Sequence, residues 1–74
     1  MSSFASRVRE LRSTKGLTQK QLASEFEVSE VLWRKYEGGT RTPTFEGLIA
    51  IADFFDVSLD YLVGRSDKPF SHKE

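Results

Sequence analysis

Apolar residues recur along this chain at intervals of three and four positions, the spacing that places them on one face of a helix. In the first segment Phe4, Val8 and Leu11 lie on one such stripe. A later segment carries a longer stripe that begins at Phe45 and ends at Phe55. No β-hairpin pattern interrupts these segments, so the sequence predicts an all-α fold.

Capping residues divide this pattern into five helices. A hydroxyl residue precedes each of the last four segments, where its oxygen accepts a backbone N–H that the first turn leaves unpaired. These residues are Thr18, Ser29, Thr44 and Ser58. Thr18 and Gln21 also have the spacing of a capping box, in which each side chain bonds the backbone of the other residue. The predicted helices run over about residues 3–15, 18–26, 30–37, 45–55 and 59–63.

Glycines and a change of composition mark the ends of the helices and of the domain. Gly16, the pair 38–39 and Gly64 follow predicted helices, at the place where a left-handed residue commonly ends a helix. A chain of 74 residues holds one hydrophobic core. Because the composition turns polar near the C-terminus, we expect one domain over residues 1–66 and a flexible tail over residues 67–74.

Composition excludes several classes of protein. The chain has no cysteine, which rules out disulfides and thiolate metal sites. Its longest uninterrupted apolar run, residues 48–52, is far shorter than the roughly 20 residues that a membrane span needs. The N-terminus lacks the basic and apolar regions of a signal peptide. We therefore expect a cytoplasmic protein with no membrane segment.

The formal net charge is zero, yet the charges are unevenly distributed. Residues 1–43 carry eight Lys or Arg against five acids, a balance of +3, while residues 44–74 carry three against six, a balance of −3. This asymmetry fits a basic face on a neutral molecule. It fits an ordinary solvated surface equally well, so charge alone does not assign a partner.

The second and third predicted helices are joined by residues 27–29, which is the spacing of a helix-turn-helix. In the third helix Leu32, Trp33 and Tyr36 fall on one side. The opposite side presents four other residues: Glu30, Val31, Arg34 and Lys35. A helix that enters the major groove of DNA needs this division, because one face must be anchored in the core while the other reaches the base edges.

Six stretches of the sequence resemble the Cro/lambda-repressor-like (XRE-type) family of helix-turn-helix DNA-binding proteins. They are residues 16–23 (GLTQKQLA), 28–29 (VS), 36–39 (YEGG), 43–44 (PT), 52–55 (ADFF) and 57–64 (VSLDYLVG). The resemblance spans about residues 4–66 and implies a five-helix DNA-binding domain with a helix-turn-helix at helices 2 and 3. It also implies a transcriptional regulator of double-stranded DNA, which we expect to be a repressor that acts as a homodimer on a pseudo-palindromic operator.

The resemblance further implies roles for eight residues. Base contacts are expected from the third helix, at Glu30, Val31, Arg34 and Lys35. Phosphate contacts are expected from the start of the second helix and from the loop after the third, at Gln19, Gly39, Thr40 and Arg41. Phosphate contacts set the register of a protein on the duplex, and base contacts read the sequence.

The sequence departs from the family pattern at three places. Glu27 stands where the turn usually has glycine, so either its backbone adopts positive φ at a cost of roughly 1 kcal/mol or the turn has shifted. Trp33 replaces a common aliphatic core residue, which predicts a slightly wider spacing of the two helices. Glu30 and Val31 replace amide or hydroxyl side chains, although glutamate can accept from cytosine N4 and valine can pack on a thymine methyl group.

The neutral charge and the adjacent Glu30 and Val31 also support a second hypothesis. On this hypothesis the chain is a protein-interaction module on the same fold, such as an antirepressor or a toxin partner. We expect no enzyme activity, no cofactor, no metal and no small-molecule substrate. The sequence has no Ser/His/Asp set, no Gly-rich phosphate loop and no paired carboxylates, and its one histidine, His72, lies in the predicted tail.

Three further expectations concern side chains outside the helix-turn-helix. The arginines of the first helix, Arg7, Arg9 and Arg12, are expected to be solvated rather than bound to DNA. Five aromatic residues are expected to fill the core: Phe26, Trp33, Tyr36, Phe54 and Phe55. A dimer interface is expected on the fifth helix and the tail, with Tyr61 and Phe70 as candidate contacts.

Overall fold

Five α-helices make up the part of the chain that the structure, a computed structural model, describes, residues 3–70. They are α1 (Phe4–Thr14), α2 (Gln19–Glu25), α3 (Glu30–Gly38), α4 (Phe45–Phe55) and α5 (Leu59–Leu62). No strand occurs among the described residues, so the predicted all-α fold with five helices is confirmed. None of these helices has the length and apolar character that crossing a membrane requires.

Side chains at the predicted N-caps bond the first turn of the last four helices. In α2 the Thr18 Oγ1 accepts the Gln21 N–H at 3.0 Å and the Gln21 Oε1 accepts the Thr18 N–H at 2.8 Å, which confirms the capping box. The hydroxyls of three other N-caps accept from the third residue of their helices: Ser29, Thr44 and Ser58. In α1 Ser3 and Ser6 form a second capping box, which the sequence did not predict because Ser6 is not the usual Glu or Gln.

Among residues 3–70, five have positive φ, and they lie at the ends of helices or in turns. The predicted left-handed glycines are confirmed: Gly16, Gly39 and Gly64. Asp56 has a φ of 57° at the end of α4, and Glu27 has a φ of 60° in the turn between α2 and α3. The value at Glu27 decides between the two predicted alternatives, because the turn keeps positive φ with a residue that carries a Cβ.

The core is built around α3, which packs against α1 and α2. Trp33 is fully buried, and its ring stacks on Phe26 with the centroids 5.6 Å apart. Tyr36 meets Trp33 edge-on at 5.5 Å, and Phe54 meets Phe26 edge-on at 5.4 Å. The predicted core role is confirmed for Trp33, Tyr36 and Phe55 and for Phe26, which packs against them, whereas Phe54 is 36% exposed and lies at the edge of the core. Aliphatic residues from all the other helices complete the core: Val8, Leu22, Ile51 and Leu62.

The buried stripe of α4 is narrower than the sequence pattern predicts. It reaches the core from Leu48 onward. Phe45 is 65% exposed, so the prediction that includes it in the apolar stripe is wrong. At about 100° per residue the Phe45 side chain lies about 70° from the centre of the buried stripe. Ile49, which lies beyond the same edge, is exposed as well.

Arg7 and Arg12 of α1 are held by the protein rather than solvated, which contradicts the prediction for them, while Arg9 is exposed as predicted and its Nη1 donates to the Glu37 carbonyl at 3.0 Å. Arg7 is 4% exposed, its Nη1 donates to the Tyr61 carbonyl at 3.0 Å, and its guanidinium lies 3.7 Å from the centroid of the Tyr61 ring. Arg12 bonds Glu37 of α3, 25 residues away. Periodicity within α1 could not show either contact, because both partners lie far along the chain.

The segment after α5 folds back beside α1 and α5. The Ser66 carbonyl accepts from the Nη1 of Arg7 at 3.4 Å, and the Asp67 carboxylate lies 3.8 Å from its Nη2. The Pro69 carbonyl accepts the Ser58 N–H at 2.7 Å. The predicted tail begins within this segment, while residues 71–74, with His72, lie outside the described part of the chain.

Replacing Glu27 with glycine should stabilise the protein. Glycine adopts positive φ without the clash that a Cβ causes, although it loses more backbone entropy on folding. We expect the free energy of unfolding to rise by about 0.5–1 kcal/mol and the melting temperature by roughly 2–8 °C. Thermal unfolding followed by circular dichroism measures the change.

Glu25→Gly is the matched control for this substitution. It removes the same charge from an exposed residue two positions earlier, within α2. There glycine should lower the melting temperature, because it is a poor helix former. If Glu27→Gly also lowered the melting temperature, the strain assigned to the turn would be refuted.

Candidate nucleic-acid interface

A short connection, residues 26–29, joins α2 to α3 and holds them in a fixed relation. The Val28 N–H donates to the Ala23 carbonyl at 2.9 Å, and the Glu27 N–H donates to the Ser24 carbonyl at 3.2 Å. These bonds fold the connection onto the end of α2 immediately before α3 begins. Two short helices joined by such a turn form a helix-turn-helix.

The side of α3 opposite its aromatic residues faces solvent. Val31 is 56% exposed, and the side chains of Glu30 and Arg34 are 42% and 50% exposed. Lys35 is exposed as well. The structure therefore brings all four predicted base-contacting residues together on one surface. We call this surface the outer face of α3 (Glu30, Val31, Arg34 and Lys35).

Two residues of the outer face form an ion pair. The Nη2 of Arg34 lies 3.9 Å from the Oε2 of Glu30, one helical turn away. An exposed pair at this spacing contributes only about 0.3–0.5 kcal/mol to stability, because solvent screens the charges and both side chains lose freedom. Both groups are therefore free to exchange this contact for other partners.

The loop predicted to contact phosphates folds over the C-terminal end of α3. The Thr40 and Arg41 N–H groups donate to the Lys35 carbonyl at 3.1 and 3.4 Å, and the Thr40 hydroxyl lies 3.5 Å from the same oxygen. Gly39 has the φ of 84° that starts this fold. Three of the predicted phosphate ligands are thus placed beside Lys35. The backbone N–H groups of Gly39, Thr40 and Arg41 are used inside the protein, which leaves the Thr40 hydroxyl and the Arg41 guanidinium as the groups available for an anion.

A buried carboxylate, which the sequence analysis missed, lies behind the outer face. Glu37 is 3% exposed on the inner side of α3. Arg12 of α1 binds it through two hydrogen bonds, from Nε at 2.7 Å and from Nη2 at 3.1 Å. The Trp33 Nε1 donates to it at 2.7 Å and the Gln19 Nε2 at 3.1 Å. At about 100° per residue Glu37 lies only about 20° from the partly exposed Glu30 around the helix axis, so helical periodicity could not show that this acid is buried.

The pKa of Glu37 is below its ordinary value. Burial alone raises the pKa, because it disfavours the charged form. The hydrogen bonds from Arg12, Trp33 and Gln19, together with the charge of Arg12, outweigh that effect. Glu37 is therefore ionised at neutral pH in the folded protein.

Gln19, the fourth predicted phosphate ligand, lies apart from the loop, at the first position of α2. One N–H of its side-chain amide is used by Glu37. The amide has a second N–H and a carbonyl oxygen, and the first-turn backbone N–H groups of a helix have no partner inside the helix. Gln19 can therefore donate to an anion while Glu37 holds its side chain in place.

The short turn between α2 and α3 and the exposed outer face of α3 are features of a helix-turn-helix domain. Comparison with known sequences identifies the same class of protein. The sequence model of a helix-turn-helix domain family matches residues 5–67, which include nearly all of the five helices. The chain belongs to this family, in its XRE-type branch, as the resemblance predicts.

Proteins similar to this chain include a repressor and an activator of transcription. The HTH-type transcriptional regulator YobD of Bacillus subtilis is 33% identical over 66 residues, which cover 89% of this chain and 59% of YobD. The CTXphi transcriptional repressor RstR of Vibrio cholerae is 46% identical over 48 residues, which cover 65% of this chain and 43% of RstR. The HTH-type transcriptional activator BcrR of Enterococcus faecalis is 40% identical over 64 residues, which cover 86% of this chain and 31% of BcrR. The chain thus spans about half the length, or less, of these relatives.

Replacing Glu37 with glutamine should destabilise the protein in a pH-dependent way. The substitution leaves Arg12 without its counter-ion, which costs about 2–4 kcal/mol near neutral pH. The pKa of Glu37 is lower in the folded chain than the ordinary glutamate value of 4.5. The carboxylate therefore stabilises the fold fully above pH 4.5 and loses this effect as the pH falls through the folded pKa.

Urea unfolding of both proteins at neutral pH and at several values below pH 4.5 tests this expectation. The difference in free energy of unfolding should shrink as the pH falls. Glu25→Gln, at an exposed glutamate, should have little effect at any pH. A difference that stayed constant with pH would show that the ionised form of Glu37 is not what stabilises the fold.

Proposed function

We propose that this chain binds duplex DNA through α3 and regulates transcription. The observation that carries the proposal is the division of α3, whose inner face is anchored by Trp33 and Glu37 while its outer face is exposed. A helix held in this way can enter the major groove without losing contact with the core. The family to which the chain belongs supports the same function.

Two groups of residues have different roles at the interface, one in contacting phosphates and one in reading bases. Backbone phosphates are contacted on both sides of α3, by Gln19 and by the side chains of Thr40 and Arg41 in the loop, which Gly39 folds into place through its positive φ. These contacts set the register on the duplex, and the outer face of α3 reads the base edges between them. Lys35 lies next to the loop and reaches either a base or a phosphate.

The protein acts as a dimer on a pseudo-palindromic operator. Two copies of α3 then occupy successive major grooves, about 34 Å apart. The exposed Phe70 and the half-buried Tyr61 of α5 supply candidate apolar contacts between the two copies. Repression follows when the bound dimer occupies a promoter and excludes the polymerase.

A second function is favoured by one observation on the outer face. Val31 is exposed next to the acidic Glu30, a combination that also suits a protein partner. On this alternative the same surface binds an antirepressor or a toxin instead of DNA. The two functions differ in their response to salt, because binding to phosphates releases counterions from the duplex.

The double substitution Arg34→Ala and Lys35→Ala should weaken DNA binding more than tenfold at moderate salt. It removes two cations from the outer face, and each good contact to a base is worth about 1–3 kcal/mol. Fluorescence anisotropy with the best duplex selected from a random library measures the affinity. The matched control is Arg65→Ala with Lys68→Ala, which removes the same charge from two exposed residues after α5. Equal losses in the two variants, or no loss in the first, would remove α3 from the mechanism.

The affinity should fall steeply with salt, and Arg41 should account for part of the slope. Each phosphate neutralised contributes about −0.9 to the slope of log affinity against log salt. We expect Arg41→Ala to weaken binding to all sequences alike and to make the slope less negative by about one unit. The measurement is a salt titration of both proteins on selected and random duplexes. No DNA binding, or an affinity that does not change with salt, would favour the protein-interaction function.

A further inference from the structure

The ion pair on the outer face of α3 restricts the base pairs that this face can bind in an operator. The Glu30 carboxylate and the Arg34 guanidinium lie 3.9 Å apart, and both side chains are about half exposed. Glu30 is the first residue of α3 and Arg34 the fifth, so both lie in the N-terminal part of the helix. In a helix-turn-helix this is the part of the second helix that contacts base edges.

A carboxylate in the major groove is restricted in the bases that it can face. It is an acceptor only, and it is repelled by the phosphates and by every base atom that also accepts. The base edges offer it two donors, the N4 amine of cytosine and the N6 amine of adenine. Since Arg34 lies beside Glu30, the groove must also supply acceptors for a guanidinium at almost the same place.

A C·G base pair is the one base pair that meets both requirements. Its edge has the cytosine N4 donor on one side and two adjacent guanine acceptors, O6 and N7, on the other. In an A·T pair the adenine N6 donor stands between the two acceptors, N7 and the thymine O4, so a guanidinium cannot bond both at once. The C·G edge thus places one donor beside two acceptors, which complements a carboxylate that lies beside a guanidinium.

We propose that Glu30 and Arg34 act as a unit that reads one C·G base pair in each half-site. The Glu30 carboxylate accepts from cytosine N4, and the Arg34 guanidinium donates to O6 and N7 of the paired guanine. The positive charge of Arg34 offsets the repulsion between Glu30 and the phosphates, which is why the acid is tolerated at the base-reading end of α3. This inference rests on the proposed function and adds the base pair that the outer face selects.

Selection of duplexes from a random library, carried out with the natural protein and with Glu30→Gln, is the first test. The natural protein should require C·G at one position of the half-site. Glu30→Gln should shift the preference there toward adenine, because glutamine bonds adenine N6 and N7 together. Arg34→Lys keeps the charge but loses the bidentate hydrogen bonding of the guanidinium. It should therefore relax the preference for guanine with little change in the slope of log affinity against log salt.

Two base analogues placed at that position then test the individual atoms. N4-methylcytosine blocks the amine hydrogen that faces the groove, and 7-deazaguanine removes the N7 acceptor. Each should weaken binding of the natural protein about tenfold. The loss with N4-methylcytosine should disappear in Glu30→Ala, and the loss with 7-deazaguanine should disappear in Arg34→Ala. Glu30 and Arg34 are exposed, so circular dichroism should show an unchanged fold in all four variants.

The possible failures are distinguishable. Salt-dependent DNA binding with no required C·G position overturns this inference and leaves the proposed function standing. The same holds if the C·G position exists but does not respond to Glu30→Gln or to the analogues. Absence of any DNA binding overturns both.

Discussion

The buried carboxylate of Glu37 is the constraint on which the rest of the structure depends. A charge that is 3% exposed is stable only when hydrogen bonds and a counter-ion replace its water. Here the four hydrogen bonds come from Arg12 of α1, Gln19 of α2 and Trp33 of α3 itself. These donors meet at one point only if the three helices cross in one particular way. The ion pair therefore specifies the packing of α1, α2 and α3 as well as stabilising it.

The orientation of α3 follows from this constraint. A rotation of the helix about its axis that moved Arg34 toward the protein would expose Trp33 and separate Glu37 from its donors. The turn at Glu27 is held in positive φ within the same arrangement, and the packing that it permits outweighs its local strain. The outer face of α3 is thus kept toward solvent by contacts on the opposite side of the helix.

The protein uses the same pair of residue types, glutamate and arginine, for two different purposes. Between Arg12 and Glu37 the contact is 2.7 Å and buried, so it is strong and its groups are not available to a ligand. Between Arg34 and Glu30 the contact is 3.9 Å and exposed, so it is weak and its groups are free to bind base edges. Stability and recognition are in this way assigned to different residues of one nine-residue helix.

The sequence by itself determined the five helices, the N-caps of the last four and the two faces of α3, because these depend on residues three or four positions apart. The capping box of Thr18 and Gln21 is an example, and so is the exposure of Val31 opposite Trp33. The family could also be recognised from its motifs. The tertiary structure alone decided the contacts between distant segments, such as Arg7 with Tyr61 and Arg12 with Glu37. It also decided the exposure of Phe45, since a helical period shows which residues share a face but not how much of that face a neighbouring helix covers.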